Sequence, residues 1–187
     1  MKTRIVVPPS VEPVALDEAK LHARVDSDLT DGDSVLETLI QSAREQIEGV
    51  TDRAFITRTI ETTFPRPFER PDLRIPVAPV ASVLSVVGVD VDGVETPLDG
   101  SEWIAETGTP GVVRPRGSWF GWQAVKVTCE AGYGTAGDVP AKAKLAILML
   151  VVLWHEHRLP VGPRSLGELP FTVQSLVAGL RWGNHPR

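Results

Sequence analysis

The sequence predicts an α+β fold, mainly α, in which a small bundle of about four helices carries a β-rich insertion between the second and third long helices. Proline placement is the main reason, because a proline inside a helix removes a hydrogen bond and clashes with the preceding turn. The windows 14–64, 141–159 and 171–185 contain no proline, whereas most of the 16 prolines fall in 65–140. Short valine-rich runs in that middle region indicate strands.

Three parts are therefore expected along the chain. Residues 1–64 and 138–187 should form the helical core, and residues 65–137 the β-rich insertion. A chain of 187 residues can bury about 70% of its unfolded surface, so it can form a core without covalent cross-links. The single cysteine, Cys129, excludes an intramolecular disulfide framework and a cysteine-based zinc cluster.

The first helical part is expected to contain two helices. A short one should cover Leu16–Val25, with acidic residues in its first turn. A longer one should cover Ser34–Val50, where apolar residues recur at three- and four-residue steps and form one stripe. Ser34 and Glu37 have the spacing of a capping box.

The second helical part is expected to contain two more helices. The first should run from Ala141 to about His157, opening after Asp138 and Pro140. It has almost no polar face, which predicts burial on all sides, in part against a neighbouring subunit. The last helix should cover Thr172 to Trp182.

The middle region is expected to form strands joined by turns. Val83–Val91 precedes an Asp-Gly pair that favours a hairpin turn. Further strands are predicted at Trp103–Ala105, Val112–Arg114 and Ala124–Cys129.

Charge and length restrict the classes of partner. The net charge of −5 argues against binding nucleic acid through bulk charge. The longest apolar run, Leu145–Trp154, is too short to span a bilayer, and Met1–Ser10 lacks the apolar stretch of a signal peptide, so a soluble protein is expected. Acidic residues outnumber basic ones in 1–61, and the reverse holds in 141–187. This asymmetry suits either ordinary solubilising charge or complementary protein surfaces.

Several motifs suggest chemistry, but each has a structural interpretation that we favour. Gly132–Gly137 matches a dinucleotide-binding string, yet the next helix starts too late and no second strand completes the unit. His155 and His157 are two apart on a helix and diverge. Asp26–Glu37 resembles a calcium loop without its obligatory glycine. Cys129 lies in an apolar strand. No catalytic residues, cofactor or metal are therefore expected.

One stretch combines cations with aromatic side chains in a predicted loop. It contains Arg114, Arg116, Trp119 and Trp122. Trp and Arg concentrate binding energy at interfaces, so an exposed loop of this kind could contact a protein partner or DNA. A hairpin loop that packs its tryptophans back onto the sheet explains the same residues equally well.

Several segments, taken in order, resemble the head–tail connector (adaptor) proteins of long-tailed phages and gene transfer agents. They are Glu12–Asp26, the helix Val35–Arg53, Ala131–Gly134 leading to Val139-Pro140, the apolar helix that ends in Trp154–Arg158, and Leu169–Phe171 with the helix that ends at Leu180-Arg181. The resemblance covers nearly the whole chain. Ala15 departs from it, because the family often has a Ser or Thr cap there, and the insertion is larger than in the smallest members.

This resemblance implies a structural protein and no enzyme. It implies a homo-oligomeric ring, a dodecamer, that binds the portal protein at the capsid vertex of a virion or virion-like particle made in the bacterial cytoplasm. The ring would offer a platform to a neck stopper or tail-terminator protein. DNA would pass through its lumen without sequence-specific binding, because an acidic wall does not hold phosphates.

Two interfaces are expected from these observations. The basic, amphipathic C-terminal segment is the expected portal-docking element, with Phe171, Leu176, Leu180, Arg181 and Trp182. The insertion loop with its arginines and tryptophans is the second. The alternatives are a nucleotide-binding enzyme that uses Gly132–Gly137 and a monomeric protein-binding module that presents the Trp119–Trp122 loop.

Overall fold

A computed structural model describes residues 1–69, 71–156 and 169–182, and it has the predicted α+β class. The helices are α1 (Leu16–Ala23), α2 (Asp33–Thr51), α3 (Ala141–Glu156) and α4 (Phe171–Ala178). The strands are β1 (Lys2–Val7), β2 (Arg58–Pro65), β3 (Leu73–Arg74), β4 (Val80–Val89), β5 (Glu95–Pro97), β6 (Trp103–Glu106), β7 (Val112–Pro115) and β8 (Ala124–Ala131). None of the helices described combines the length and apolar character needed to cross a membrane.

The chain forms two compact units, and each is made from two separate segments. The β unit consists of Met1–Ser10 and Ile56–Tyr133. The helical unit consists of Val11–Phe55 and the described residues of Gly134–Arg187. These boundaries differ from the expected parts 1–64, 65–137 and 138–187, because β1 and β2 belong to the sheet.

The β unit contains a five-stranded antiparallel sheet with the strand order β1-β2-β8-β4-β5. β8 is its central strand, and every second side chain is buried: Val125, Val127, Cys129 and Ala131. The same alternation in β2 buries Ile60, Thr62 and Phe64. A two-residue period of this kind is typical of a strand with one covered face. A smaller antiparallel sheet has the order β3-β7-β6.

In the helical unit, α2 packs against α1, α3 and α4. The apolar stripe of α2 is buried as predicted, at Leu36, Ile40, Ala43 and Ile47. The prediction for α3 holds only in part. Ile147, Leu150 and Val151 are buried, but Leu145 is exposed and Met149 is half-buried. One apolar side of α3 is therefore incompletely covered by the described residues.

Three predictions about helix ends are wrong. The N-cap of α2 is Gly32, without a side-chain cap, so Ser34 and Glu37 do not form a capping box. Asp138 does not cap α3, because it lies in a short 3-10 turn, Ala136–Asp138, that ends before the helix. α4 is shorter than expected and stops before Gly179. His157, the expected end of α3, lies outside the described residues.

A buried ion-pair network joins distant parts of the helical unit. Arg44 of α2 is almost fully buried and donates to Glu12 at 2.7 Å and to Glu48 at 3.0 Å. Glu48 in turn accepts the backbone amide of Phe55 at 2.7 Å. Because each partner is held by at least one directional bond, the network fixes where the chain enters α1 and where it leaves α2.

We expect Glu48→Ala to lower the free energy of unfolding by about 3 kcal/mol, because it leaves a buried guanidinium without its buried counter-charge. Chemical denaturation measures the loss. The matched control is Glu45→Ala, since Glu45 also contacts Arg44, at 3.4 Å, but is exposed. This control should cost less than about 0.5 kcal/mol. Equal losses in the two variants would contradict the assigned role of the buried pair.

Candidate interaction surfaces

The C-terminal segment divides into anchored and exposed residues. Leu180 is buried, and its carbonyl accepts a hydrogen bond from Arg53. The Trp182 indole donates to the Asp52 carbonyl at 2.9 Å. Both contacts fasten the segment after α4 to the end of α2, within the helical unit. Leu180 and Trp182 are therefore supporting residues in this structure.

The other expected docking residues point outward. Phe171, the first residue of α4, has 83% of its surface exposed. Arg181 is exposed, and Leu176 is half-buried. An aromatic side chain with so much free surface gains free energy when a partner buries it. Phe171 and Arg181 are thus the members of the expected set that remain available for binding.

The insertion loop between β7 and β8 holds its tryptophans against the β unit. Trp119 is buried, and its indole donates to the Pro71 carbonyl at 3.0 Å. Trp122 covers Gly88 of β4 so closely that a Cβ at Gly88 would collide with the indole ring. Of the two interpretations left open by the sequence, the packed one is therefore correct for both tryptophans.

The arginines of this loop behave differently from each other. Arg114 pairs with Asp72 at 2.8 Å and with Glu106, and its hydrogen bond to Asp72 lowers the pKa of that carboxyl group. Arg116 is exposed and helps to line a small cavity of about 190 Å³ with Glu102, Trp119 and others. Arg114 is accordingly occupied within the chain, and Arg116 lies at the surface.

Sequence reasoning missed the exposed aromatic side chain of the loop, Phe120. It is 86% exposed at the tip, where its amide donates to the Ser118 hydroxyl and Gly121 follows with a φ of +96°. The positive φ turns the chain back so that Trp122 can pack. The order Trp-Phe-Gly-Trp could have indicated this exposure. When Trp119 and Trp122 both pack against the β unit, Phe120 between them lies at the apex of the loop.

The Gly132–Gly137 turn is built around a carboxylate of the chain itself. Asp138 accepts hydrogen bonds from the backbone amide and the hydroxyl of Thr135, at 2.8 and 2.7 Å, and these bonds lower the pKa of Asp138. A side chain at Gly134 would meet the same carboxylate. The amide that a phosphate would need is already bonded to an anion, so the turn interpretation is favoured over a nucleotide site.

The acidic loop after α1 packs around the ammonium group of Lys20, a residue of α1. The buried ammonium of Lys20 lies 2.9 Å from the Leu29 carbonyl, 3.4 Å from the Ser27 carbonyl and 2.6 Å from the Asp33 carboxylate. These are the kinds of oxygen that calcium would use. A lysine thus supplies the positive charge that the spacing of the acids suggested for a metal.

The structure does not support a nucleophilic role for Cys129 or a metal site at the histidine pair. Cys129 is fully buried, and burial raises the pKa of its thiol to about 12, so it is protonated and shielded. Within residues 1–69, 71–156 and 169–182, no cluster of His, Cys, Asp and Glu is arranged to hold a metal ion. His157, the partner of His155 in the sequence motif, lies outside that part of the chain.

We expect Gly88→Ala to destabilise the chain by about 2 kcal/mol, because the added methyl group must displace the Trp122 ring or shift the strand. Thermal unfolding followed by tryptophan fluorescence measures the change. Gly100→Ala is the control, because a Cβ there meets nothing within 4 Å. It should leave stability unchanged or raise it slightly. Normal stability of Gly88→Ala would refute the packing of Trp122 described above.

Comparison with known proteins gives a consistent result. Residues 13–90 match the family described as phage gp6-like head-tail connector protein. A chain in the neck of an empty gene transfer agent (GTA) particle, computed with C6 symmetry, is 23% identical with a TM-score of 0.81. A chain in the virion of a native GTA particle is 24% identical with a TM-score of 0.82. A chain in the neck of a native GTA particle, computed with C12 symmetry, is 23% identical with a TM-score of 0.76.

These structural matches cover 100% of this chain and 98% of each of those chains. No curated protein matches the sequence. The sequence match includes α1, α2 and the first strands that follow them, and the structural matches extend the same fold over the remaining elements. Residues 13–90 are thus similar to the gp6-like head–tail connector family, and the chain as a whole has the fold of those GTA chains.

Proposed function

We propose that this protein is a structural part of the neck of a tailed phage or gene transfer agent particle, with no catalytic step of its own. Copies of the chain form a ring on the portal protein at the capsid vertex, extend the DNA channel and provide a platform for the next neck or tail protein. The observation that carries this proposal is the similarity in fold, over the whole chain, to chains from GTA necks.

A ring of twelve copies is the proposed assembly. The similar neck structures were computed with C6 and C12 symmetry, and twelve copies are compatible with both. The incompletely covered apolar side of α3, with Leu145 and Met149, is the kind of surface that a second protein would bury.

Passage of DNA through the ring needs a wall that does not bind it. Each copy carries a net charge of −5, so a ring is strongly acidic as a whole. Phosphates are held by lysine and arginine through counterion release, and acidic surfaces repel them. The proposed channel is therefore compatible with DNA transit without sequence-specific contacts.

The two exposed phenylalanines are proposed to contact different neighbours. Phe171, with Arg181 nearby in the sequence, is the proposed portal anchor. Phe120, at the tip of the insertion loop, is the proposed anchor for the neck stopper or tail-terminator protein. Large apolar side chains of this type contribute most of the binding energy when they enter a pocket on a partner.

Removing the chain from a producing strain tests the role as a whole. We expect DNA-containing heads without attached tails, because the platform for the next protein is missing. Electron microscopy counts the tailed particles, and expression of the intact chain in trans should restore them. Normal tailed particles whose necks lack this chain would overturn the proposal.

Phe171→Ser and Phe120→Ser form a pair that separates the two proposed contacts. Phe171→Ser should abolish co-purification with the portal, because its apolar contact is lost. Phe120→Ser should keep portal binding but produce heads that recruit no further neck protein. Each variant is the control for the other, since both remove an exposed phenyl ring of similar accessibility. Portal binding by Phe171→Ser, or loss of it in Phe120→Ser, would contradict the assignment.

A further inference from the structure

The five-stranded sheet ends in two edges of opposite character. Strand β1 forms one edge and is exposed along its whole length. It carries Lys2 together with Ile5 and Val7, and these two apolar side chains each have more than half of their surface exposed. Arg4 lies on the same strand, but its guanidinium is already paired with Glu61 of β2 at 2.8 and 3.1 Å, so Lys2 is the cation that this edge offers to a partner. We call Lys2–Val7 the basic edge. Exposed apolar side chains beside cations are typical of a surface that contacts an acidic partner.

The opposite edge of the same sheet carries the turn that joins β4 to β5. This turn, Asp90–Val94, is acidic and apolar, and Val91 is 80% exposed. The Asp90 carboxylate accepts the amides of Asp92 and Val94, both at 2.9 Å, and Gly93 has a φ of +82°. These bonds hold the turn in one conformation with its valines outside. We call Asp90–Val94 the acidic tip.

Strand register places the Lys2 end of the basic edge at the same end of the sheet as the acidic tip. Val89, directly before the acidic tip, is paired with Ala124 of β8, and Ala124 is paired with Pro65 of β2. Thr63, two residues before Pro65, is paired with Lys2. Four strand spacings separate β1 from β5, which amounts to about 19 Å at the usual spacing of strands. Lys2 is therefore close to level with the acidic tip but on the opposite side of the sheet, whereas Ile5 and Val7, which pair with Ile60 and Thr59, lie towards the other end.

We infer that the basic edge of one copy docks against the acidic tip of the next copy in the ring. This inference rests on the proposed ring. A cyclic ring needs head-to-tail contacts between two different patches of the same chain, whereas a two-fold contact pairs a patch with itself. Here a two-fold contact would bring like charges together at either edge. The head-to-tail arrangement pairs Lys2 of one copy with Asp92 of the next.

A photo-cross-linking residue at position 91 tests the contact in particles purified with the whole chain. We expect p-benzoylphenylalanine at Val91 to link covalently to residues 1–12 of another copy, identified by mass spectrometry after cleavage at Glu12. A link within one copy is excluded by the separation of about 19 Å, since the probe spans far less. The control probe at Leu21, which is 81% exposed in the helical unit, should not label residues 1–12.

A charge exchange gives a second, independent measurement. Lys2→Glu and Asp92→Lys each place like charges at every contact and should lower the cross-linked fraction by about fivefold. A 1:1 mixture of the two variants restores opposite charges at every contact of an alternating ring, so it should recover the original fraction. Both side chains are exposed, so the folded chain should be unaffected.

The outcomes distinguish this inference from the function on which it rests. Cross-links from position 91 to another surface, or none, in necks that do contain the chain would overturn the inference and leave the connector role intact. Failure of the 1:1 mixture to recover cross-linking would overturn it as well. Necks that lack the chain altogether would refute both.

Discussion

The helical unit is organised around the buried positive charge of Arg44. Burial lowers the pKa of Arg44, but hydrogen bonds and the charges of Glu12 and Glu48 outweigh this effect, so the guanidinium remains ionised. Replacing a whole buried ion pair by apolar residues often costs nothing, so the value of this network does not lie in net stability. It lies in position: Glu12 precedes α1, and Glu48 holds the backbone of Phe55, the last residue before the chain enters the β unit.

The sequence predicts the helices better than the strands, for a physical reason. The stripe on α2 is a local pattern, and a helix closes its hydrogen bonds within itself. All of β2 except its last residue, Pro65, lies in a window without proline that was assigned to helices, although its β-branched residues and two-residue period favour a strand. Its partner β8 is far away in the chain, and absence of proline permits both structures. Strand β1 was not predicted either, because it forms its hydrogen bonds with β2, more than 50 residues further along the chain.

The candidate surfaces were predictable as segments but not residue by residue. The insertion loop was identified by its Trp and Arg residues, and the C-terminal segment by its basic, amphipathic character. Composition could not tell that Trp119 and Trp182 use their indole donors inside the chain, because the acceptors are carbonyls of Pro71 and Asp52. Likewise, the spacing of acids after α1 indicated a cation but not that Lys20 supplies it. In each case the deciding contact is with a residue that no local pattern connects to it.

A ring connector must hold identical copies together while leaving other surfaces free for different partners, and the distribution of charge on this chain suits that requirement. The contact inferred between copies joins the two edges of one sheet, and lateral repetition of the chain satisfies it. The exposed phenylalanines lie elsewhere, Phe120 at a loop apex and Phe171 at the start of α4. Because the inferred lateral contact is partly electrostatic, we expect it to weaken as salt rises. Such a ring would gain most of its stability from the particle on which it is assembled, where the portal fixes its copies side by side at high effective concentration.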